Sequence, residues 1–206
     1  MKFLLAVAAL LLMPATAQAA DKLVVAYGDS LMAGYQLPPG QGFVPQLEAG
    51  LRRQGVAARV YNAGVSGDTS AQGRARLAWV LAAVKARPDL VIVELGANDM
   101  LRGLDPGQAE ANIDAILAEF GKRRIPVLLA GMMAAPNLGP DYARRFDALY
   151  PRLAAKHRVP LYPFFLQGVV GRRSLQIGDA IHPNKAGVAV IVDGIMPQVK
   201  RLLAQR

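Results

Sequence analysis

The chain of 206 residues contains no cysteine and only two histidines. Without thiols there is no disulfide framework, no thiolate nucleophile and no cysteine for lipid attachment, so the fold must hold by packing alone. The two imidazoles, His157 and His182, fall in separate segments with no cysteine beside either. They form no metal-ligand cluster, and neither a metal nor another cofactor is expected. Aromatic residues make up only 6% of the chain. The formal charge of +9 comes from scattered pairs such as Arg52-Arg53, Arg144-Arg145 and Arg172-Arg173, not from one basic block interleaved with rings. Such pairs read as solvated helix faces, and no nucleic-acid partner is expected. A basic surface is compatible with transient contact to an anionic membrane or lipid. No G-x-G-x-x-G or Walker spacing surrounds Gly28, and Asp29 beside it would repel a phosphate.

Long apolar runs are also missing. The longest candidate, Phe3 to Met13, falls well short of the roughly 20 residues that span a bilayer. It follows Lys2 and precedes Pro14 and Ala17-Gln18-Ala19. A charged start, a short apolar segment and an Ala-x-Ala site describe a secretory signal peptide over residues 1–19, cleaved after Ala19. Export to the periplasm or beyond is therefore expected. Residues 20–206 are enough for one core of ordinary size and too few for two, so a single domain is expected, acting as a monomer.

Within that domain, short apolar runs rich in branched residues recur at Leu23 to Tyr27, Ala57 to Tyr61, Leu90 to Leu95, Pro126 to Ala130 and Val159 to Tyr162. Their lack of strict alternation suits strands covered on both faces. Between them, amphipathic segments run near Phe43 to Gln54, Ala71 to Ala86, Pro106 to Lys122, Asp141 to Lys156 and Lys185 to Leu203. Alternating strand and helix implies right-handed crossovers and a three-layer α/β/α sandwich. A five-stranded parallel sheet in the flavodoxin-like order 2-1-3-4-5 is expected, with its ligand crevice at the carboxyl ends of the strands.

The polar residues of interest follow those strand ends: Gly28-Asp29-Ser30 after the first, Asn62-Ala63-Gly64-Val65-Ser66-Gly67 after the second, Gly96-Ala97-Asn98-Asp99 after the third. Asp179-Ala180-Ile181-His182-Pro183 precedes the last helix. A carboxylate three residues before an imidazole can fix its tautomer within one loop, and Ser30 supplies a hydroxyl to attack. The Ser30 backbone N–H, Gly64 and the Asn98 side-chain amide are candidate donors to a developing oxyanion. Each also has a plainer reading, as a helix cap or a turn former. Asp29 and Asp99 read as braces for their loops, and Glu94, inside an apolar run, has no account at this level.

These four blocks, in order, resemble the SGNH (GDSL-type) hydrolase superfamily. The similarity spans essentially the whole mature chain. Tyr142-Ala143-Arg144-Arg145-Phe146, Tyr150-Pro151-Arg152-Leu153 and Val159-Pro160-Leu161-Tyr162-Pro163-Phe164-Phe165 look like its exported thioesterase/lysophospholipase/arylesterase group. The resemblance implies a nucleophile at Ser30, a base and acid at His182 and Asp179, and oxyanion donors at Ser30, Gly64 and Asn98. It further implies a small-molecule acyl ester or thioester as substrate. Met32 departs from the pattern, which more often has a small polar residue there, and this puts the shape of the nearby cleft in question.

The loops after the fourth and fifth expected strands are apolar, and Met132, Pro136, Phe164 and Phe165, with Leu31, are expected to line an acyl or aryl site. The resemblance further implies that Leu101 and Leu104 close over it. Two other readings stay open on the sequence: an acetylesterase acting on carbohydrate or cell-wall glycan, and a lipid-binding protein that keeps the fold without the chemistry.

Overall fold

The computed structural model describes residues 21–205, and the expected signal peptide lies outside them. Its strands are β1 (Lys22–Gly28), β2 (Ala58–Gly64), β3 (Leu90–Glu94), β4 (Val127–Ala130) and β5 (Leu161–Tyr162). They form one sheet in the order β2-β1-β3-β4-β5, parallel throughout, as the alternation of elements predicts. The central strands β3 and β4 are buried along their whole length, which is why their sequences are unbroken apolar runs. Edge strand β2 alternates instead, with Arg59 and Asn62 exposed between buried Ala58, Val60 and Ala63.

The helices are α1 (Ser30–Ala33), α2 (Phe43–Arg53), α3 (Ser70–Val84), α4 (Ala97–Leu101), α5 (Pro106–Lys122), α6 (Pro140–Asp147), α7 (Leu149–His157) and α8 (Lys185–Ala204). Helix α2 packs on α8, while α3 packs on α5 and α5 on α7, giving helical layers about the sheet. The single helix expected over Asp141 to Lys156 is two, broken at Ala148. Pro151 has no N–H to offer the Asp147 carbonyl four residues back, so the α-helical ladder cannot run through. The short helices α1 and α4, too brief for periodicity to betray, turn the chain sharply where β1 and β3 end.

Strand register sets where those turns occur. Gly28 pairs with both Gly64 and Glu94, Glu94 with Ala130, and Ala130 with Tyr162. All five strands thus end in one row, and the loops leaving it start level with one another.

The loop carrying Asp179 and His182 is clipped to the start of α8. Asn184 accepts hydrogen bonds from the N–H groups of Ala186 and Gly187 at 3.0 Å each, and its amide donates to the Ser174 carbonyl at 2.8 Å. The Asn184 N–H donates to the Leu175 carbonyl at 2.9 Å, and Ile177 N–H to the His182 carbonyl at 2.9 Å. Gly187 lets helix and loop meet: a Cβ there would collide with the Leu175 carbonyl and lie 3.0 Å from Pro183 Cβ. Replacing Gly187 by alanine is expected to cost about 1–3 kcal/mol. At this chain length each kcal/mol lowers the melting temperature by roughly 2–4 °C. Thermal denaturation followed by circular dichroism checks this, and an unchanged transition would mean that the loop yields freely.

Candidate active site

Ser30 is the first residue of α1, and the cap of that helix is Asp29, whose carboxylate accepts the Leu31 N–H at 3.0 Å. The serine itself is free of capping duty. Its Oγ lies 2.8 Å from His182 Nε2, and His182 Nδ1 lies 2.6 Å from Asp179 Oδ2. An Nδ1–H donating to the carboxylate leaves Nε2 as the acceptor for the serine hydroxyl. The other oxygen of Asp179 accepts the N–H groups of Ile181 at 2.9 Å and His182 at 3.0 Å. Burial pushes the Asp179 carboxyl upward, but those two N–H groups and the imidazole outweigh it and hold the group below its ordinary range. Between acid and imidazole, Ala180 sits at φ +59°, a left-handed conformation that folds the two side chains toward each other. The structure thus brings together the three residues singled out for nucleophile, base and acid.

Tyr35, which sequence reasoning missed, lies with its ring centroid 4.7 Å from that of His182, tilted by 41°. Gln36 donates to its hydroxyl at 3.0 Å. The ring covers the imidazole and limits the orientations open to it.

The expected oxyanion donors divide. Asn98 stands beside Ser30 in the cleft, its Nδ2 donating to Asp29 Oδ2 at 2.9 Å and to the Asp68 carbonyl at 3.0 Å. Gly64 does not line the cleft, and its N–H is already given to Asn62 Oδ1 at 2.9 Å. Its lack of a side chain serves packing instead: a Cβ would collide with the Ala33 N–H and lie 2.7 Å from the Met32 carbonyl carbon. The glycine that does line the cleft is Gly67, at φ +85°. Among the described residues neither its N–H nor that of Ser30 has a hydrogen-bond acceptor.

A cleft of about 340 Å³ opens over Ser30. Leu31, Leu101 and Met132 line it as expected, joined by Tyr35, Leu166 and Ile181. The other expected lining residues lie elsewhere. Phe165 is buried in the core, edge-on to Phe43 at 5.1 Å, because its N–H bonds to the Gly131 carbonyl and draws the loop inward. Phe164 is half-buried against that core. Pro136 is exposed at the start of a short 3₁₀ turn, and Leu104 is exposed beyond the cleft with its carbonyl accepting from Tyr142. Met32 is fully buried and faces Gly28, so it shapes the core and not the cleft.

The loops are braced from below, as Asp29 and Asp99 were expected to do. Asp99 accepts the Ser70 N–H at 2.7 Å and the Ser70 hydroxyl at 2.6 Å. Arg76, on α3, ties two strand ends to the Gly67 loop: its guanidinium donates to Asp68, to the Ala63 carbonyl and to the Gly28 carbonyl, and lies 4.5 Å over the Tyr27 ring. Among the described residues Glu94 pairs with no arginine. It is fully buried beside Asp29, whose N–H points at its Oε2 from 3.4 Å. Burial and the neighbouring Asp29 charge drive the Glu94 carboxyl well above its ordinary value. Burial also pushes Asp29 up to about 6, against the opposing pull of Leu31 N–H, His182 and Asn98.

Residues 26–190 match the model of the GDSL-like Lipase/Acylhydrolase family. "Esterase TesA" of Pseudomonas aeruginosa is 40% identical over 203 residues, 98% of this chain and 100% of that one. "Thioesterase 1/protease 1/lysophospholipase L1" of Escherichia coli K12 is 37% identical over 194 residues, 94% of this chain and 90% of its own. Among solved structures, the SGNH-hydrolase family esterase AlinE4 shares 46% identity with a TM-score of 0.77, covering 89% of this chain and 97% of its own.

Arg76 and Asp68 are largely shielded from solvent, with side-chain exposures of 16% and 9%. Removing the arginine leaves a buried Asp68 charge and takes a donor from the Ala63 and Gly28 carbonyls. Arg76→Ala is expected to lose about 3–5 kcal/mol of stability. Urea denaturation reads the loss, and an R76A/D68A double variant that recovers part of it would assign the recovered share to the stranded carboxylate.

Proposed function

The chain belongs to the GDSL-like lipase/acylhydrolase family, and we propose that it hydrolyses its substrates through Ser30, His182 and Asp179 by way of an acyl-enzyme. It is a carboxylic ester hydrolase of the esterase, arylesterase and thioesterase type, as its named relatives are. The observation that carries the assignment of residues is the continuous relay from Ser30 Oγ through His182 to Asp179, at 2.8 Å and 2.6 Å.

In the proposed cycle His182 Nε2 takes the hydroxyl proton as Ser30 Oγ attacks the acyl carbon, and Asp179 stabilises the imidazolium formed. The carbonyl oxygen becomes an oxyanion, received by the unpartnered N–H groups of Ser30 and Gly67 and by the Asn98 amide. Because both Asn98 hydrogens are engaged at rest, one must be shared with the oxyanion as it forms. Collapse breaks the bond to the leaving alcohol or thiol, which takes the proton from His182. Water then repeats the sequence on the Ser30 ester and releases the acid.

The apolar lining of the cleft supports an acyl chain or aryl group as the recognised part of the substrate. Leu101 and Ile181, which line the cleft, are exposed apolar residues at its rim, and Arg102, next to Leu101, donates to the Gly67 carbonyl. This rim supports transient contact with a lipid surface during turnover. The relay of Ser30, His182 and Asp179 is complete within one chain, which supports a monomer as the acting unit. Lys2, the apolar run after it and Ala17-Gln18-Ala19 support export with cleavage after Ala19.

A fluorophosphonate probe is expected to add one adduct to the wild type and none to Ser30→Ala, and Asp179→Asn should slow turnover by about 10,000-fold. An unlabelled wild type would favour lipid binding without catalysis. Across p-nitrophenyl esters, each methylene that enters the cleft raises kcat/KM by up to about fourfold. A preference for acetylated sugar over octanoate would overturn the acyl-chain reading, and equal rates on lysophospholipid in anionic and neutral vesicles would overturn a role for basic charge in lipid contact. Native mass spectrometry of the exported protein should show one copy starting at Ala20.

A further inference from the structure

Glu94 ends β3 in the row where all the strands stop, fully buried, and the cycle above makes no use of it. We propose that Glu94 is a positioning residue that stays protonated in the folded protein and, as a neutral acid hydrogen-bonded to Asp29, keeps the Asp29 carboxylate aimed at the Asn98 amide. The inference rests on the reading of Asn98 as an oxyanion donor.

The distribution of donors decides which of the two carboxyl groups carries the proton. Asp29 receives the Leu31 N–H at 3.0 Å and the Asn98 amide at 2.9 Å. Glu94 receives only the Asp29 N–H at 3.4 Å, and no donor among the described residues reaches its Oε1. Two adjacent carboxyl groups out of contact with water cannot both ionise, so the charge settles where donors surround it and the proton where they do not.

Among the described residues no cation intervenes. The Tyr150 hydroxyl, from α7, donates to the Leu95 carbonyl at 3.0 Å and not to Glu94. Arg76, from α3, spends its guanidinium on Asp68 and on the carbonyls of Ala63 and Gly28. Burial raises both carboxyl groups, but the Leu31 N–H, His182 and Asn98 pull Asp29 back down, whereas the Asp29 charge pushes Glu94 further up.

The site is built for this side chain. A Cβ on Gly28 would lie 2.6 Å from Glu94 Oε2 and collide with the Glu94 carbonyl, so only glycine at position 28 leaves the acid its place. A neutral Glu94 also spares the developing oxyanion a second negative charge beneath it.

Two variants and two readouts test this. Glu94→Gln keeps an N–H donor without a charge, and its kcat on an aryl ester is expected to stay within about threefold of wild type. Glu94→Leu removes the donor, and kcat is expected to fall about 10- to 100-fold with little change in KM, as when transition-state alignment alone is lost. Leucine turning over as fast as glutamine would make the residue a mere space-filler and sink the proposal. If the leucine variant does not fold, a drop in the E94Q kcat beyond about 30-fold does the same.

The second readout needs no activity. Folding raises this carboxyl, so its stabilising contribution is complete below its ordinary value of 4.5 and drains away as pH climbs toward the folded value. Glutamine cannot ionise and loses nothing. The urea midpoint of E94Q relative to wild type should therefore rise steadily between about pH 4 and pH 8. A difference that stays flat with pH means Glu94 is ionised in the fold and overturns the proposal. A wild type that hydrolyses no ester and takes no fluorophosphonate would overturn the functional reading, while the pH readout would still report the protonation of Glu94.

Discussion

A carboxylate removed from water must find donors, and at the end of β1 the side chain of Asp29 finds them in two places at once. It caps α1 through the Leu31 N–H, holds the Asn98 amide that arrives from the end of β3, and lies against the Ser30 hydroxyl. The demand of one buried charge thus fixes the turn that presents the nucleophile and the loop that carries a side-chain donor. Satisfying that demand elsewhere would dismantle both. The parallel sheet makes it possible, because register ends β1 and β3 level and brings Gly28 opposite Glu94.

Around this centre the remaining loops are held by their own local chemistry. Arg76 gathers the carbonyls of Gly28 and Ala63 and the Asp68 carboxylate, while the Asp68 carbonyl accepts from Asn98. Asp99 fastens the start of α3. The neutral donors of the cleft therefore rest on ionic supports one layer beneath it. Those supports are buried enough that the charges below remain oriented when a substrate excludes water from the cleft above.

Much of this was legible in the chain because parallel strands covered on both faces leave unbroken apolar runs, and because polar residues clustered where those runs stop. Ser30, Asn98, Asp179 and His182 could be read that way. Gly64 and Gly67 could not be told apart, since two glycines three residues apart look alike until one is seen against the α1 backbone and the other on the cleft wall. Phe165 and Leu166 show the same blindness: adjacent apolar residues in one loop divide between core and cleft, and only the loop's hydrogen bonds decide which goes where. Tyr35 and Ile181 had a fainter signal, as large apolar groups among polar loop residues. Glu94 was visible as an anomaly, an acid in a run of branched apolar residues, but its partner was not, because the register that sets it beside Asp29 is a property of the assembled sheet.

The placement of acid and base on one short loop divides the relay into halves of different character. Asp179 and His182 are bound by contacts that span three residues, and the loop that bears them is stitched to the start of α8. The contacts His182 makes with Ser30 and with the Tyr35 ring cross the molecule. A displacement of that loop as a unit would therefore uncouple the imidazole from the nucleophile without parting it from its carboxylate. The idle form so created would keep its tautomer and its charge partner, and the molecule would regain competence by docking a prefabricated piece and not by rebuilding it.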